Sequence, residues 1–237
     1  MARYALANHV FVCLNGEHLV LLDLKEDRYW ALEAAQTAGF GALVDGWPVR
    51  GADGAQSAPA PETTAAIEVL LGRGLLTQGI PPGKGATPVS AIVPMRELVS
   101  ESDTSARPRL GSWLKFFTAS ALAKLALRTW PFERVIRRVK RRKQLKGPNA
   151  APFDAERARE LAEAFARYRV FLFSSKDECL YDSLALLEFM SRYGIYPDWV
   201  FGVQTRPFAA HCWVQHGDIV FNDTVEHVSG FTPIMVV

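Results

Sequence analysis

Ser175-Lys176-Asp177-Glu178-Cys179-Leu180 opens the stretch on which the reading of this chain turns. Ser175 is placed to cap a helix and Glu178, three residues on, to complete a capping box, so Cys179 falls in the first turn. Leu180, Leu184, Leu187 and Met190 follow at helical spacing, and Gly194 stands where such a helix would stop. A thiol in the first turn meets the unpaired amides and the positive end of the helix dipole, which favour thiolate over thiol. A nucleophilic cysteine needs that preference near neutral pH. Asp177 reads as compensation for the same dipole.

Beyond Pro197, Asp198-Trp199-Val200-Phe201-Gly202-Val203 reads as a buried strand. His211-Cys212-Trp213-Val214-Gln215 reads as a second and Ile219-Val220-Phe221-Asn222-Asp223 as a third, returning past His216-Gly217-Asp218. A helix followed by antiparallel strands places a nucleophile at the helix start, a general base on one strand and its orienting carboxylate on the next. Papain-like and transglutaminase-like enzymes are arranged this way. Cys179, His211 and Asp223 are therefore the candidate nucleophile, base and acid, with Asp218 and Glu226 as rival carboxylates. Cys212 alternates with His211 and is expected to face away from the site as a small buried hydrophobe. A two-residue Gly217-Asp218 turn would pair Cys212 with Asp223 and turn that carboxylate from His211. A three-residue loop from His216, or a bulge, would bring the two together.

Two strings carry a family resemblance: Cys179-Leu180-Tyr181-Asp182-Ser183-Leu184-Ala185-Leu186, and Gly202-Val203-Gln204-Thr205-Arg206-Pro207-Phe208-Ala209-Ala210-His211-Cys212-Trp213-Val214, the latter followed by Asn222-Asp223. They resemble the leader peptidase of lasso-peptide biosynthesis, the B protein, in the transglutaminase-like superfamily. The resemblance covers most of residues 110–237 and implies a cysteine peptidase whose triad falls at Cys179, His211 and Asp223. Cys212 departs from it, since a small residue such as alanine is expected after the histidine.

The first 80 residues read as a unit of their own. Residues 10–14 and 18–22 flank Asn15-Gly16, a strong hairpin signal because both residue types accept positive φ. Arg28-Tyr29-Trp30-Ala31-Leu32 forms a third strand after the polar turn Lys25-Glu26-Asp27, and a helical stretch follows over residues 32–44. Residues 50–61, rich in Gly, Ala, Ser and Pro, read as a loop, and residues 63–71 as a helix that ends near Gly72-Arg73-Gly74. Three strands then helices is a winged-helix-like order. With Gly16, Leu21-Leu22-Asp23, Tyr29-Trp30 and the Gly72-Arg73-Gly74-Leu75-Leu76 exit, it is similar to the PqqD-like precursor-recognition element that lasso systems carry either fused to the peptidase or as a separate protein. Such a sheet offers its edge to an extended peptide. Arg28, Tyr29, Trp30 and Ala31 on the third strand, with Ile67, Leu70, Leu71 and Arg73 of the helix and its exit, are the candidate leader-binding residues.

The expected fold class is α+β: a winged-helix-like recognition domain over residues 1–80, a linker over 81–108 marked by Pro81-Pro82-Gly83, Pro88 and Pro94, and a papain/transglutaminase-like cysteine peptidase domain over 109–237. Within the last, residues 133–146 carry eight Arg and Lys residues. Such a run is most often a solvated helix face, with an acidic peptide, a partner protein or nucleic acid as the other readings. Asp154 is placed to cap a helix that continues to Tyr168.

Composition narrows the function classes. With 49% hydrophobic and 22% charged residues the chain can bury a core, and a formal net charge of +2 selects no partner. Three cysteines without paired spacing argue against a disulfide framework or a zinc site and suit a reducing compartment. No signal peptide or membrane span is apparent, so a cytoplasmic protein is expected. The expected function is binding of a lasso precursor's leader and its removal by Cys-His-Asp proteolysis. The alternative is a non-catalytic peptide-binding chaperone that presents the precursor to a partner cyclase. A nucleic-acid role is set aside because the basic run lacks interleaved aromatics. The resemblance implies an ATP-dependent macrolactam-forming cyclase as partner, and ATP has been associated with leader removal in some members. The chain itself has no nucleotide-binding loop, so no bound cofactor and no metal are expected.

Overall fold

The computed structural model describes residues 4–33, 37, 39–48, 61–79, 83–97, 110–145, 153–169 and 179–237. The capping pair Ser175 and Glu178, with Asp177, lies outside the described residues, as do most of the loop expected over 50–61 and residues 98–108 of the expected linker. The chain forms two compact units: Met1–Ser90 with Val203–Ala209 and Thr232–Met235, and Ala91–Gly202 with Ala210–Phe231 and Val236–Val237.

In the first unit, β1 (Ala5–Leu6), β2 (Val10–Asn15), β3 (His18–Asp23) and β4 (Arg28–Glu33) are followed by α1 (Phe40–Leu43), α2 (Pro61–Gly72) and β5 (Leu76–Thr77). β2, β3 and β4 make an antiparallel meander with β4 on the outside, and β1 pairs with β5. The hairpin turn is one residue later than the Asn-Gly signal suggests. Asn15 pairs with His18, which leaves Gly16 (φ 60) and Glu17 as the two loop residues. Glycine is thus at the first central position, where positive φ is required. Asn15 instead spends its side chain, donating to the Val203 carbonyl and Thr232 Oγ1 and accepting from Thr205 Oγ1. Between β3 and β4, Asp23 accepts the amides of Lys25 and Glu26, and Asp27 takes φ 52. Alternate residues Val10, Val12, Leu19 and Leu21 face a core completed by Phe40, Ile67 and Leu70. The helix expected over 32–44 is confined, among the described residues, to a short stretch that includes α1.

The second unit contains β6 (Arg96–Glu97), α3 (Leu110–Thr129), α4 (Phe132–Leu145), α5 (Ala155–Arg169), α6 (Cys179–Ser191), β7 (Asp198–Thr205), β8 (Phe208–His216), β9 (Ile219–Val220), α7 (Val225–Ser229) and β10 (Thr232–Val236), the hairpin end of β7–β8 and most of β10 counting with the first unit. The sheet order is β10-β7-β8-β9-β6. α6 is the central element: every residue from Asp182 to Met190 is buried. α3 and α5 pack on it, and Phe116, Phe165 and Phe189, one from each helix, make ring contacts with centroids 5.4–6.3 Å apart. Gly194 (φ 75) turns the chain out, while the Ile195 amide bonds back to Met190.

α4 spends part of its basic run internally. Glu188 of α6, 3% exposed, is met by Arg142 at 2.8 Å, Arg138 at 3.6 Å and Arg192 at 3.8 Å. Lys143 pairs with Asp198. Arg134, Arg137, Lys140 and Arg141 form the exposed face. Asp154 caps α5 by accepting the Arg157 amide at 2.9 Å. At the two ends of the expected linker the chain makes specific contacts: Lys84 exchanges backbone hydrogen bonds with Leu6, and Arg96–Glu97 pair with β9 as β6.

Gly202 of β7 allows the close packing behind the site. A Cβ there would lie 2.8 Å from Phe231 Cβ and 2.9 Å from Trp213 Cζ3, and both rings neighbour His211. Gly202→Ala is expected to cost about 1–3 kcal/mol through overpacking, measured by urea unfolding. Unchanged stability would show that the two rings yield freely.

Candidate active site

Cys179 is the first residue of α6, partly exposed, and its side chain hydrogen-bonds to His211. His211 is on β8, between the rings of Trp213, Phe231 and His227, with its own side chain 13% exposed. Its Nε2 lies 2.5 Å from Asp223 Oδ2. The structure thus brings together the three residues that the sequence singles out as nucleophile, base and acid.

Asp223 reaches His211 by neither simple register. The turn between β8 and β9 is the two-residue Gly217-Asp218, with His216 opposite Ile219 and Gln215 opposite Val220. Continued pairing would set Asp223 against Cys212 and away from the imidazole. The ladder stops instead: β9 ends at Val220, and after Phe221 donates its amide to Val214, the Val214 N–H is met by the Asn222 side-chain oxygen at 2.8 Å. Asn222 Nδ2 donates in turn to buried Asp182 of α6 at 3.1 Å. The expectation of a strand reaching Asp223 is corrected accordingly. A side-chain bond replaces a backbone one, and the chain leaves the sheet with Asp223 free to turn to the other face.

Asp223 accepts two further groups, the Thr224 amide at 2.8 Å and His227, whose Nδ1 is 3.0 Å from Oδ1. His227 comes from α7, which Thr224 caps by accepting the His227 amide. Sequence reading passed over His227, although its place four residues after Asp223 on a short capped helix is a usable signal. His211, Asp223 and His227 bring three ligand-type atoms within 4.8 Å of one another, and these atoms are engaged in hydrogen bonds among themselves. The rival carboxylates are elsewhere. Asp218 holds Arg96 through two bonds of 2.7 and 2.9 Å, and Glu226 is in the first turn of α7.

Cys212 is buried as expected, but its side chain is not turned from the site. Its thiol and amide both hydrogen-bond to the Cys179 sulfur, and its own sulfur is 3.3 Å from Ser183 Oγ. Strand alternation separates the faces of His211 and Cys212. It does not reveal that α6 packs over the Cys212 face, so that the thiol at the helix start touches both neighbours. Ser183 links the group, donating to the Cys179 carbonyl at 2.6 Å and accepting from Trp199 Nε1 at 2.8 Å.

The electrostatics favour an ion pair. The Cys212 thiol, acting against burial and with help from His211 and the Cys212 amide, brings the Cys179 thiol down to about 4. Burial opposes a charge on His211, but its bonds to Asp223 and Cys179 outweigh that and raise it to about 9. Burial likewise opposes the Asp223 charge, and hydrogen bonds from His211, Thr224 and His227 hold its carboxyl below the ordinary range. At neutral pH the resting pair is thiolate and imidazolium.

Residues 121–236 match the family model described as the transglutaminase-like superfamily. No curated protein and no solved structure matches the chain. The transglutaminase-like domain spans Cys179, His211 and Asp223, and the superfamily commonly includes cysteine peptidases, with which this geometry is compatible. The match does not extend to the first 120 residues. No helix among the described residues is long and apolar enough to cross a membrane.

Of the residues expected to bind a peptide, Ile67 and Leu70 are core, 2% and 3% exposed. Tyr29, Trp30 and Leu71 are half-buried, Arg28 and Ala31 are exposed, and the Arg73 guanidinium stacks 3.9 Å over the Trp30 ring.

Asn222→Ala should strand the Val214 N–H and release the turn that carries Asp223, costing about 1–3 kcal/mol. The His211 pKa, followed by NMR titration, should then fall toward its ordinary 6.5. A His211 that still titrated near 9 would show that Asp223 keeps its place without this bond.

Proposed function

We propose that this protein binds the leader of a ribosomally made lasso precursor and cleaves it from the core as a cysteine peptidase. The observation that carries the reading is the Cys179–His211–Asp223 constellation at the start of a buried helix, inside a transglutaminase-like domain.

The Cys179 thiolate attacks the scissile carbonyl, and the His211 imidazolium gives its proton to the leaving amine. The acyl group then rests on sulfur as a thioester. His211, now neutral, takes a proton from water, which attacks the thioester and frees the leader's new carboxylate. Asp223 holds the ring so that Nε2 faces the carboxylate and the other nitrogen is left for the thiol. His227 and the Thr224 amide keep Asp223 in place.

Recognition is assigned to the first unit. Its three strands followed by helices support a winged-helix-like, PqqD-like reading, and β4 is an outer strand beside which an extended leader can add. Tyr29, Trp30, Leu71 and Arg73 border that edge, whereas Ile67 and Leu70 support it from the core. In this reading the partner is an ATP-dependent macrolactam-forming cyclase that closes the released core, and the protein works in the cytoplasm without a cofactor of its own.

Cys179→Ala and His211→Ala should each lower kcat by about 10⁶-fold with leader affinity retained, and Asp223→Asn by about 10⁴-fold. Mass spectrometry of precursor cleavage checks this. Wild-type turnover by Cys179→Ala would end the peptidase reading, and a Cys179 no more reactive to alkylation than buried Cys13 would favour a presenting chaperone.

The pH profile follows from the two shifts. Below about 4 Cys179 is protonated and the nucleophile is lost, while above about 9 His211 has no proton for the leaving amine. kcat/KM should be flat across neutrality and fall on both sides, whereas an acid limb near the ordinary thiol range would contradict the ion pair.

Tyr29→Pro and Trp30→Pro test the edge, since only alternate amides of β4 point away from β3. One of them should lower leader affinity and precursor cleavage together, read by calorimetry and mass spectrometry, with Cys179 alkylation unchanged. Two folded variants that bind leader normally would move recognition elsewhere.

A further inference from the structure

The resemblance predicts a small residue after His211, and this chain has a cysteine whose thiol touches the nucleophile. A space filler would not require sulfur. Ser183 spans the pair through one hydroxyl, 3.3 Å from Cys212 Sγ and 2.6 Å from the Cys179 carbonyl oxygen. Cys179 is partly exposed and Cys212 is buried beneath it at 3%. One sulfur faces reagents while the other waits behind it, an arrangement that suits a peroxidatic thiol and its resolving partner.

We propose that Cys179 and Cys212 form a peroxide-reactive dithiol site, in which oxidation of Cys179 is captured by Cys212 as an intramolecular disulfide. The Cys179 thiolate attacks one oxygen of a hydroperoxide and the O–O bond breaks. Sulfur is oxidised to the sulfenic acid, and the leaving hydroxide or alkoxide takes the proton of the His211 imidazolium. Cys212 sulfur then attacks the sulfenic sulfur, the S–O bond breaks, and the Cys212 proton leaves with the oxygen as water. In sum two thiols and one hydrogen peroxide give a disulfide and two waters, and an external dithiol reverses the change.

The order of events has an electrostatic reason. Burial and the neighbouring Cys179 charge hold the Cys212 thiol well above its ordinary range, so Cys212 is not the first target. The sulfenic acid is neutral, which removes that charge, so Cys212 can pass its proton to the departing oxygen as its sulfur attacks. Cys13, the third cysteine, is buried in β2 with its thiol pushed up to about 12, which makes it an internal standard for an inert thiol.

The site rests on Cys179 being a thiolate, not on the peptide it cleaves, and the test reads thiols. The full chain is treated with hydrogen peroxide, the remaining thiols are alkylated, and the digest is analysed by mass spectrometry. Wild type should lose two of its three free thiols, yield a Cys179–Cys212 cross-linked peptide and recover both on adding dithiothreitol. Cys212→Ala, and Cys212→Ser as a variant that keeps the side-chain volume, should instead stop at a dimedone-trapped sulfenic acid. With more peroxide they should reach a sulfinic acid that dithiothreitol does not restore.

A wild-type sulfenic acid as long-lived as in the Cys212 variants, or a bridge through Cys13, would overturn the proposal. That result alongside rapid iodoacetamide labelling of Cys179 leaves the thiolate and the peptidase reading intact. Slow labelling removes the thiolate on which both depend.

Discussion

The hydrogen bond from the Val214 amide to the Asn222 side chain governs what this domain can do. Sheet pairing is a strict two-residue alternation, so a strand prolonged past Val220 would put Asp223 on the face that His211 does not occupy. Substituting a side-chain acceptor for the next backbone carbonyl keeps the buried amide satisfied while ending the strand. The chain can then turn, and Thr224 caps the short helix that returns His227 to the same carboxylate. Because Asn222 also donates to Asp182 of α6, the break in the sheet is tied to the helix that carries Cys179.

A second constraint is the placement of charge in a poorly solvated site. A thiolate and an imidazolium at the edge of a core each suffer from desolvation, and they persist because each has more than one partner. Cys179 draws on the thiol and amide of Cys212 as well as on His211. His211 draws on Asp223 as well as on Cys179. The domain uses the same device away from the site: Glu188, buried in α6, is surrounded by Arg138, Arg142 and Arg192. Arg138 and Arg142 of the basic run that looked like a solvated face thus hold α4 against the central helix, while Arg134, Arg137, Lys140 and Arg141 remain exposed.

In the first unit the alternation of the strands separates a core face from the outer strand. Val10, Val12, Leu19 and Leu21 face the helical core, and the middle strand β3 is buried on both faces. β4 keeps half-buried residues on an outer strand, with Arg73 lying on Trp30. Such an edge is a liability in a free sheet and a recognition element once a peptide pairs with it. Ile67 and Leu70 show the limit of reading a groove from helical spacing. Spacing gives the face of a helix, and both residues proved to lie at its centre rather than its rim.

The sequence by itself determined the local order. Apolar runs bounded by turn signals gave β2, β3, β4, β7 and β8, helical spacing and end signals gave α2, α5 and α6, and Pro and Gly marked most of the breaks. It also determined the chemistry on offer, because a cysteine at a helix start, a histidine on a strand and an aspartate at the end of the next predicted strand are local readings. Tertiary structure alone decided which of these groups meet. It set the turn at two residues, stopped β9 early through Asn222, recruited Arg96 to Asp218 by pairing β6 with β9, and folded His227 back on Asp223. It also made Cys212, expected to face away as a core residue, a neighbour of Cys179. Alternation and periodicity say which face a side chain takes, but not which element will be packed on that face. That choice belongs to contacts between residues far apart in the chain, for which no local pattern exists.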